Sequence, residues 1–110
     1  MDITVVIPCI YYHLKHIPNL LYLYQNQTLL PYEIILCVNG VENINNLDNI
    51  ENLDLKYKLR VLKLNKIQSA GYTRQYASEK VTTKYIVYQD ADDIPHNQRI
   101  EIIDYFFKER

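Results

Sequence analysis

Three carboxylates fall within four positions at Asp90, Asp92 and Asp93, directly after the strand-forming run Tyr85-Ile86-Val87-Tyr88-Gln89. Acids crowded at the end of a buried strand repel one another and lose solvation unless a positive group sits between them. Asp90 and Asp92 could share one divalent cation. A ligand set made only of oxygen suits Mg2+ or Mn2+ and not zinc. The plainer reading of the same residues is an acidic turn leading toward a helix.

The elements that would hold this turn follow from hydrophobic pattern. Ile3-Thr4-Val5-Val6-Ile7 and Glu33-Ile34-Ile35-Leu36-Cys37-Val38 are near-continuous apolar runs, as expected of strands covered on both faces in a parallel sheet. Pro8 is expected to end the first, because proline cannot donate to a ladder. Asn39-Gly40 breaks the second. Arg60 to Leu64 and Tyr85 to Gln89 read as two further strands. Helices are expected from Pro18 to near Gln27, from Ala70 to Lys80, and after Pro95, where Ile100, Ile103 and Phe107 share a face supported by Ile102 and Phe106. On the Ala70 helix, Ala70, Thr73, Ala77 and Val81 fall roughly on one side. Residues 42–55 fit a weak surface helix or a loop. Strands alternating with helices imply an α/β fold with right-handed crossovers, a Rossmann-like parallel sheet of order 3-2-1-4. Ligands bind such sheets at the carboxyl ends of strands where the winding reverses. That crevice brings Pro8 to Tyr11 against Gln89 to Asp93.

Bulk properties narrow the ligand. A chain of 110 residues forms one domain. Its net charge of -1 and scattered Lys and Arg give no basic stripe for nucleic acid or an anionic membrane. His13, His16 and His96 make no zinc pattern with Cys9 and Cys37, which read as small buried hydrophobes in a reducing compartment. The start Met1-Asp2 has no basic leader, and the longest apolar run is too short to span a bilayer, so a cytoplasmic protein without a membrane segment is expected. The only glycines are Gly40 and Gly71, so no glycine-rich phosphate loop exists. A metal bridging a diphosphate to carboxylates would do that work instead.

Four stretches in register resemble the nucleotide-binding half of GT-A glycosyltransferases, close to the family 2 type. They are Thr4-Val5-Val6-Ile7-Pro8; Asn26-Gln27-Thr28 leading into Glu33-Ile34-Ile35; Asn65 through Ala70-Gly71-Tyr72-Thr73-Arg74; and Tyr85-Ile86 through Asp90-Ala91-Asp92-Asp93. The resemblance implies a nucleotide-diphosphate sugar as ligand, UDP-linked, with Mg2+ or Mn2+, and transfer of the sugar to an acceptor hydroxyl. It implies that Pro8, Cys9, Ile10 and Tyr11 line the nucleoside pocket, with Asn39 at the base and Arg74 near the phosphates. Asp90 and Ala91 would meet the nucleotide sugar, Asp90 through the ribose or the metal, and Asp92 would ligate the metal. Tyr11 and Tyr12 could stack on a base or simply cap the sheet.

Departures from the family are Asn39 in place of an acid, Gln75 in place of Asn and Ala77 where Gly is frequent. Asn39 can still pair with a pyrimidine edge, since an amide both donates and accepts. The resemblance puts the catalytic base of inverting members and the acceptor half beyond Arg110, leaving Asp93 and Glu101 as the acids at hand. The 1–110 domain is then incomplete, and could dimerise to cover apolar surface. The alternative is a non-catalytic nucleotide-binding or assembly module. A metal-dependent phosphohydrolase would need a nucleophile or a second set of metal ligands, which the sequence lacks.

Overall fold

The computed structural model describes residues 2–108; Met1, Glu109 and Arg110, and the readings that rest on the chain's two ends, lie outside it. Four parallel strands form one sheet in the order β3-β2-β1-β4, as expected: β1 (Ile3–Ile10), β2 (Glu33–Asn39), β3 (Lys58–Leu64) and β4 (Tyr85–Tyr88). The helices are α1 (Ile17–Gln25), α2 (Asp48–Glu51), α3 (Ala70–Ser78) and α4 (Arg99–Lys108), with short 3-10 turns at Tyr11–His16 and Val41–Asn43.

Residues paired across strands share a face of the sheet. Ile3, Val5, Ile7 and Cys9 of β1 lie with Ile34, Leu36 and Val38 of β2 on one face. There they bury Ile17, Leu20, Leu21 and Tyr24 of α1, Leu47 and Ile50 beside and on α2, and Ile100 of α4. Each fully buried Leu or Ile is worth roughly 1.5–3 kcal/mol. The opposite face carries Val6, Ile35 and Cys37 against Ala77 of α3. Both faces of the two central strands are thus covered, which explains their unbroken apolar runs.

Several expectations change. Pro8 does not end β1. The strand continues to Ile10, with Pro8 opposite Cys37 and Ile10 opposite Asn39. The reason is direction. Asp2 and Val6 turn their carbonyls toward β4, accepting from Tyr85 and Gln89, while Ile3 accepts from Tyr32 on the β2 side. Pro8 is even-numbered and so faces β4, whose pairing with β1 stops at Val6. No ladder bond needs the missing N–H. The 42–55 segment is the mostly exposed loop and short helix expected of it, but it also sends Leu47 and Ile50 into the core. Helix α3 stops at Ser78, its first residue Ala70 is exposed, and Val81 reaches the α3-side cluster from beyond the helix. β4 ends one residue before Gln89. Ile102 and Phe106 of α4 are 45% and 60% exposed and do not support its inner face. Cys9 and Cys37 are free and buried, on opposite faces of the sheet.

Candidate functional site

The carboxyl ends of β1 and β2, the segment entering α3, and the turn after β4 converge on one side of the sheet. Pro8, Ile10 and Asn39 project on the α3 face, by the register that puts Val6 and Ile35 there. With Cys9, His13, Gln68 and Ala70 they line a cleft of about 280 Å³ whose far wall is Asp90, Ala91 and Asp92. Ser69 caps α3, accepting from the Tyr72 N–H at 3.1 Å, so the start of that helix sits at the cleft.

Asn39 is 3% exposed and already engaged. Its amide oxygen accepts from the Gln68 N–H at 3.3 Å and its nitrogen donates to Thr73 Oγ1 at 3.2 Å. One N–H and one lone pair remain, so it can still meet a base edge. Cys9 is buried on the α1 face of the sheet, and burial, with a smaller charge contribution from Cys37, pushes its thiol up to about 12. A thiol held neutral in this way is no nucleophile. Tyr11 lies over Gly40, beside the cleft and not among its lining residues. Tyr12 is exposed and packs edge-on against Tyr11 at 5.4 Å.

The acidic turn is a partition between three hollows. Asp90 faces both the 280 Å³ cleft and a broader hollow of about 690 Å³ that also holds Arg74, Tyr88 and His96. Asp92 faces the cleft and a third hollow of about 190 Å³ bordered by Lys15, His16 and Asn19, and Asp93 closes the second and third. Ala91 turns inward to the core while the three acids are exposed. Among the described residues, none of their carboxylates takes a hydrogen bond or an ion pair. Glu101, by contrast, accepts from the Thr28 hydroxyl at 2.8 Å.

Among the described residues, no three His, Cys, Asp or Glu side chains gather as a metal cage. Two free carboxylates facing one cleft nevertheless fit Mg2+ or Mn2+, which ordinarily take one or two carboxylates and fill the other positions with phosphate oxygens and water.

Sequence reasoning missed what holds the turn. Gln89 is 3% exposed, and its amide nitrogen donates to the carbonyls of Asp90 at 3.0 Å and Asp93 at 3.2 Å. Its amide oxygen accepts from the Tyr24 hydroxyl at 2.7 Å and from Arg99 Nη1. Burial pushes the Tyr24 phenol up to about 12, against an opposing pull from Arg99. The segment after the turn is tied to Gln27, whose amide donates to the His96 carbonyl at 2.7 Å and accepts from the Ile100 N–H at 3.0 Å. The one available signal was a polar residue ending an apolar strand.

Comparison with known proteins follows this geometry. The sequence matches the family described as glycosyl transferase family 2 over residues 4–109. No curated protein matches it. The fold superposes on the crystal structure of S. aureus TarS 1-349 in complex with UDP with a TM-score of 0.84, at 22% identity over 99% of this chain and 32% of that one. The TarS 1-349 complex with UDP-GlcNAc gives the same TM-score, identity and coverages. For the crystal structure of S. aureus TarS the values are 0.80 and 20%, with 99% of this chain and 20% of that one covered. The chain therefore spans about a third or less of the length of these relatives, and the likeness is one of fold, the GT-A type. Among the described residues, no helix is long and apolar enough to cross a membrane.

Proposed function

The chain belongs to glycosyl transferase family 2, and on that premise we propose that it binds a nucleotide-diphosphate sugar through Mg2+ or Mn2+ held by Asp90 and Asp92, for transfer of the sugar to an acceptor hydroxyl. The observation that carries the reading is the pair of unpartnered carboxylates facing one cleft at the strands' carboxyl ends. UDP is the nucleotide of choice because the similar TarS structures are described with UDP and UDP-GlcNAc.

Each residue has a part. Pro8, Cys9, Ile10 and Ala91 enclose the nucleoside, and Asn39 offers its free N–H to the base. Arg74, half-buried in the hollow that Asp90 shares, would balance phosphate charge. When bound, the metal supplies Lewis-acid stabilisation of charge on the departing diphosphate. Asp90 and Asp92 hold the diphosphate end in place and, by facing the same cleft as Asn39, fix its distance from the base. Tyr11 backs the site by holding the Gly40 turn next to Asn39.

Calorimetric titration of UDP with Mn2+ and then with EDTA tests the reading, on the wild type and on Asp92→Asn. The wild type should bind tightly only with metal, and the variant should lose that gain, because a neutral amide ligates a hard cation less well. At a hundredfold excess over Kd the wild type should gain about 2.7 kcal/mol of stability. Equal heats with and without metal would overturn the metal bridge.

A further inference from the structure

We infer that Gln89 is a positioning residue that locks the acidic turn, setting the placement of Asp90 and Asp92 through its own amide. The inference rests on the reading of that turn as the metal and diphosphate site.

The orientation of the amide is forced by chemistry. Arg99 has only donors, so the Gln89 atom that meets Arg99 Nη1 must be the oxygen. The NH2 group therefore faces the turn, where it donates to the Asp90 and Asp93 carbonyls. Tyr24 completes the oxygen's two bonds at 2.7 Å. All four positions of one buried amide are thus filled. Two serve the turn and two are anchored by α1 and α4. Arg99 is itself held, donating through Nη2 to the Tyr88 carbonyl at 2.8 Å.

The turn needs such a lock. Its own closure is the single bond from the Asp93 N–H to the Asp90 carbonyl, at 3.2 Å. Three exposed like charges favour opening it. Gln89 ties both ends of the same turn from below, with the charges left free on top. A purely structural glutamine would fill the core equally well without touching either carbonyl.

The substitution Gln89→Glu separates these roles. The carboxylate still accepts from Tyr24 and Arg99, so the strand end stays anchored. It has no N–H to give, and it sets an acceptor against two carbonyls. In the metal-free chain, hydrogen exchange at the Asp93 amide should quicken about tenfold, the factor corresponding to roughly one lost buried hydrogen bond. Exchange at Val5 and Ile7 in β1 should not change. Affinity for Mn2+ with UDP should fall about tenfold while affinity for UDP in EDTA holds, since the nucleoside end is untouched.

Should Gln89→Glu not fold, Tyr24→Phe, which removes one anchor from the amide oxygen and keeps the ring, should move both readouts in the same direction. Unchanged Asp93 exchange in a folded variant overturns the lock. So does a released turn that leaves Mn2+-dependent affinity intact. A wild type without any metal dependence, alongside quickened exchange in Gln89→Glu, overturns the metal reading of Asp90 and Asp92 and leaves the lock standing.

Discussion

Gly40 shows how much of the site rests on one small residue. Its φ of 78° is in the left-handed region that L side chains avoid, and an added Cβ would lie 2.7 Å from Tyr11 Cδ1 and 3.1 Å from Ile67 Cγ1. Its N–H donates to the Lys66 carbonyl at 3.1 Å, fastening β2 to the segment that leads into α3. Gly40→Ala should therefore cost roughly 1–2 kcal/mol from backbone conformation alone. Displacing the Tyr11 ring adds to that. Each kcal/mol lowers the melting point of a domain this size by about 4–8 °C. Adding Tyr11→Ala to Gly40→Ala should relieve the clash with the ring and not the backbone share, so the melting point would recover only in part. A Gly40→Ala protein that melts with the wild type would mean that the turn can adopt a negative φ. The need for a turn was legible in Asn39-Gly40. The need for glycine beneath an aromatic ring was not, because Tyr11 lies far from Gly40 in sequence.

At the scale of elements, pattern gave the order of strands and helices because each central strand is covered on both faces. It failed where direction around an axis decides. Pro8 was legible as a ladder breaker only if its N–H pointed at a partner, and the side it points to depends on where β4 ends. In α4, Ile100, Ile103 and Phe107 lie within one sector of the helix, whereas Ile102 and Phe106 sit about 200° and 240° round from Ile100. Phe107 stacks on Tyr85 at 3.9 Å, while Ile102, Tyr105 and Phe106 form an outward stripe exposed by 45%, 59% and 60%. Were the chain to dimerise, a stripe of that kind next to the edge strand β4 would be the surface for the second copy. Sedimentation velocity should then show association rising with concentration, abolished by Phe106→Glu with little change in melting point. A monomer at every concentration would overturn dimerisation. The acidic residues were legible because like charges clustered after a strand are conspicuous in one dimension. Gln89 was not, because its partners Tyr24 and Arg99 come from helices at either end of the chain.

The whole molecule has a stability limit on the alkaline side, set by groups that the fold keeps neutral. Burial raises Cys9 from 9.0 to about 12, with a contribution from Cys37, and raises Cys37 from 9.0 to about 11. Tyr24 rises from 10.0 to about 12, and Tyr57, whose hydroxyl donates to the Leu21 carbonyl at 2.6 Å, is pushed up further by burial and by Tyr24. All four shifts have the same sign. Below the unfolded values neither state ionises these groups, so their contribution is fully present. As pH rises past 9 the unfolded chain releases protons that the folded chain retains, and stability falls until the folded values are passed. The proposed metal and nucleotide binding, tested near neutral pH, would therefore be read on the flat part of the curve. The melting point should hold steady from pH 6.5 to 8.5, about the range below the first unfolded thiol value, and then decline toward pH 12. Replacing both thiols, as Cys9→Ala with Cys37→Ala, should lower the plateau by opening small cavities, yet move the onset of the decline up to about pH 10, where the unfolded phenols begin to ionise. An onset that stays in place in the double variant would mean that the thiols do not set the limit, and a wild-type melting point still flat at pH 11 would remove all four groups from it.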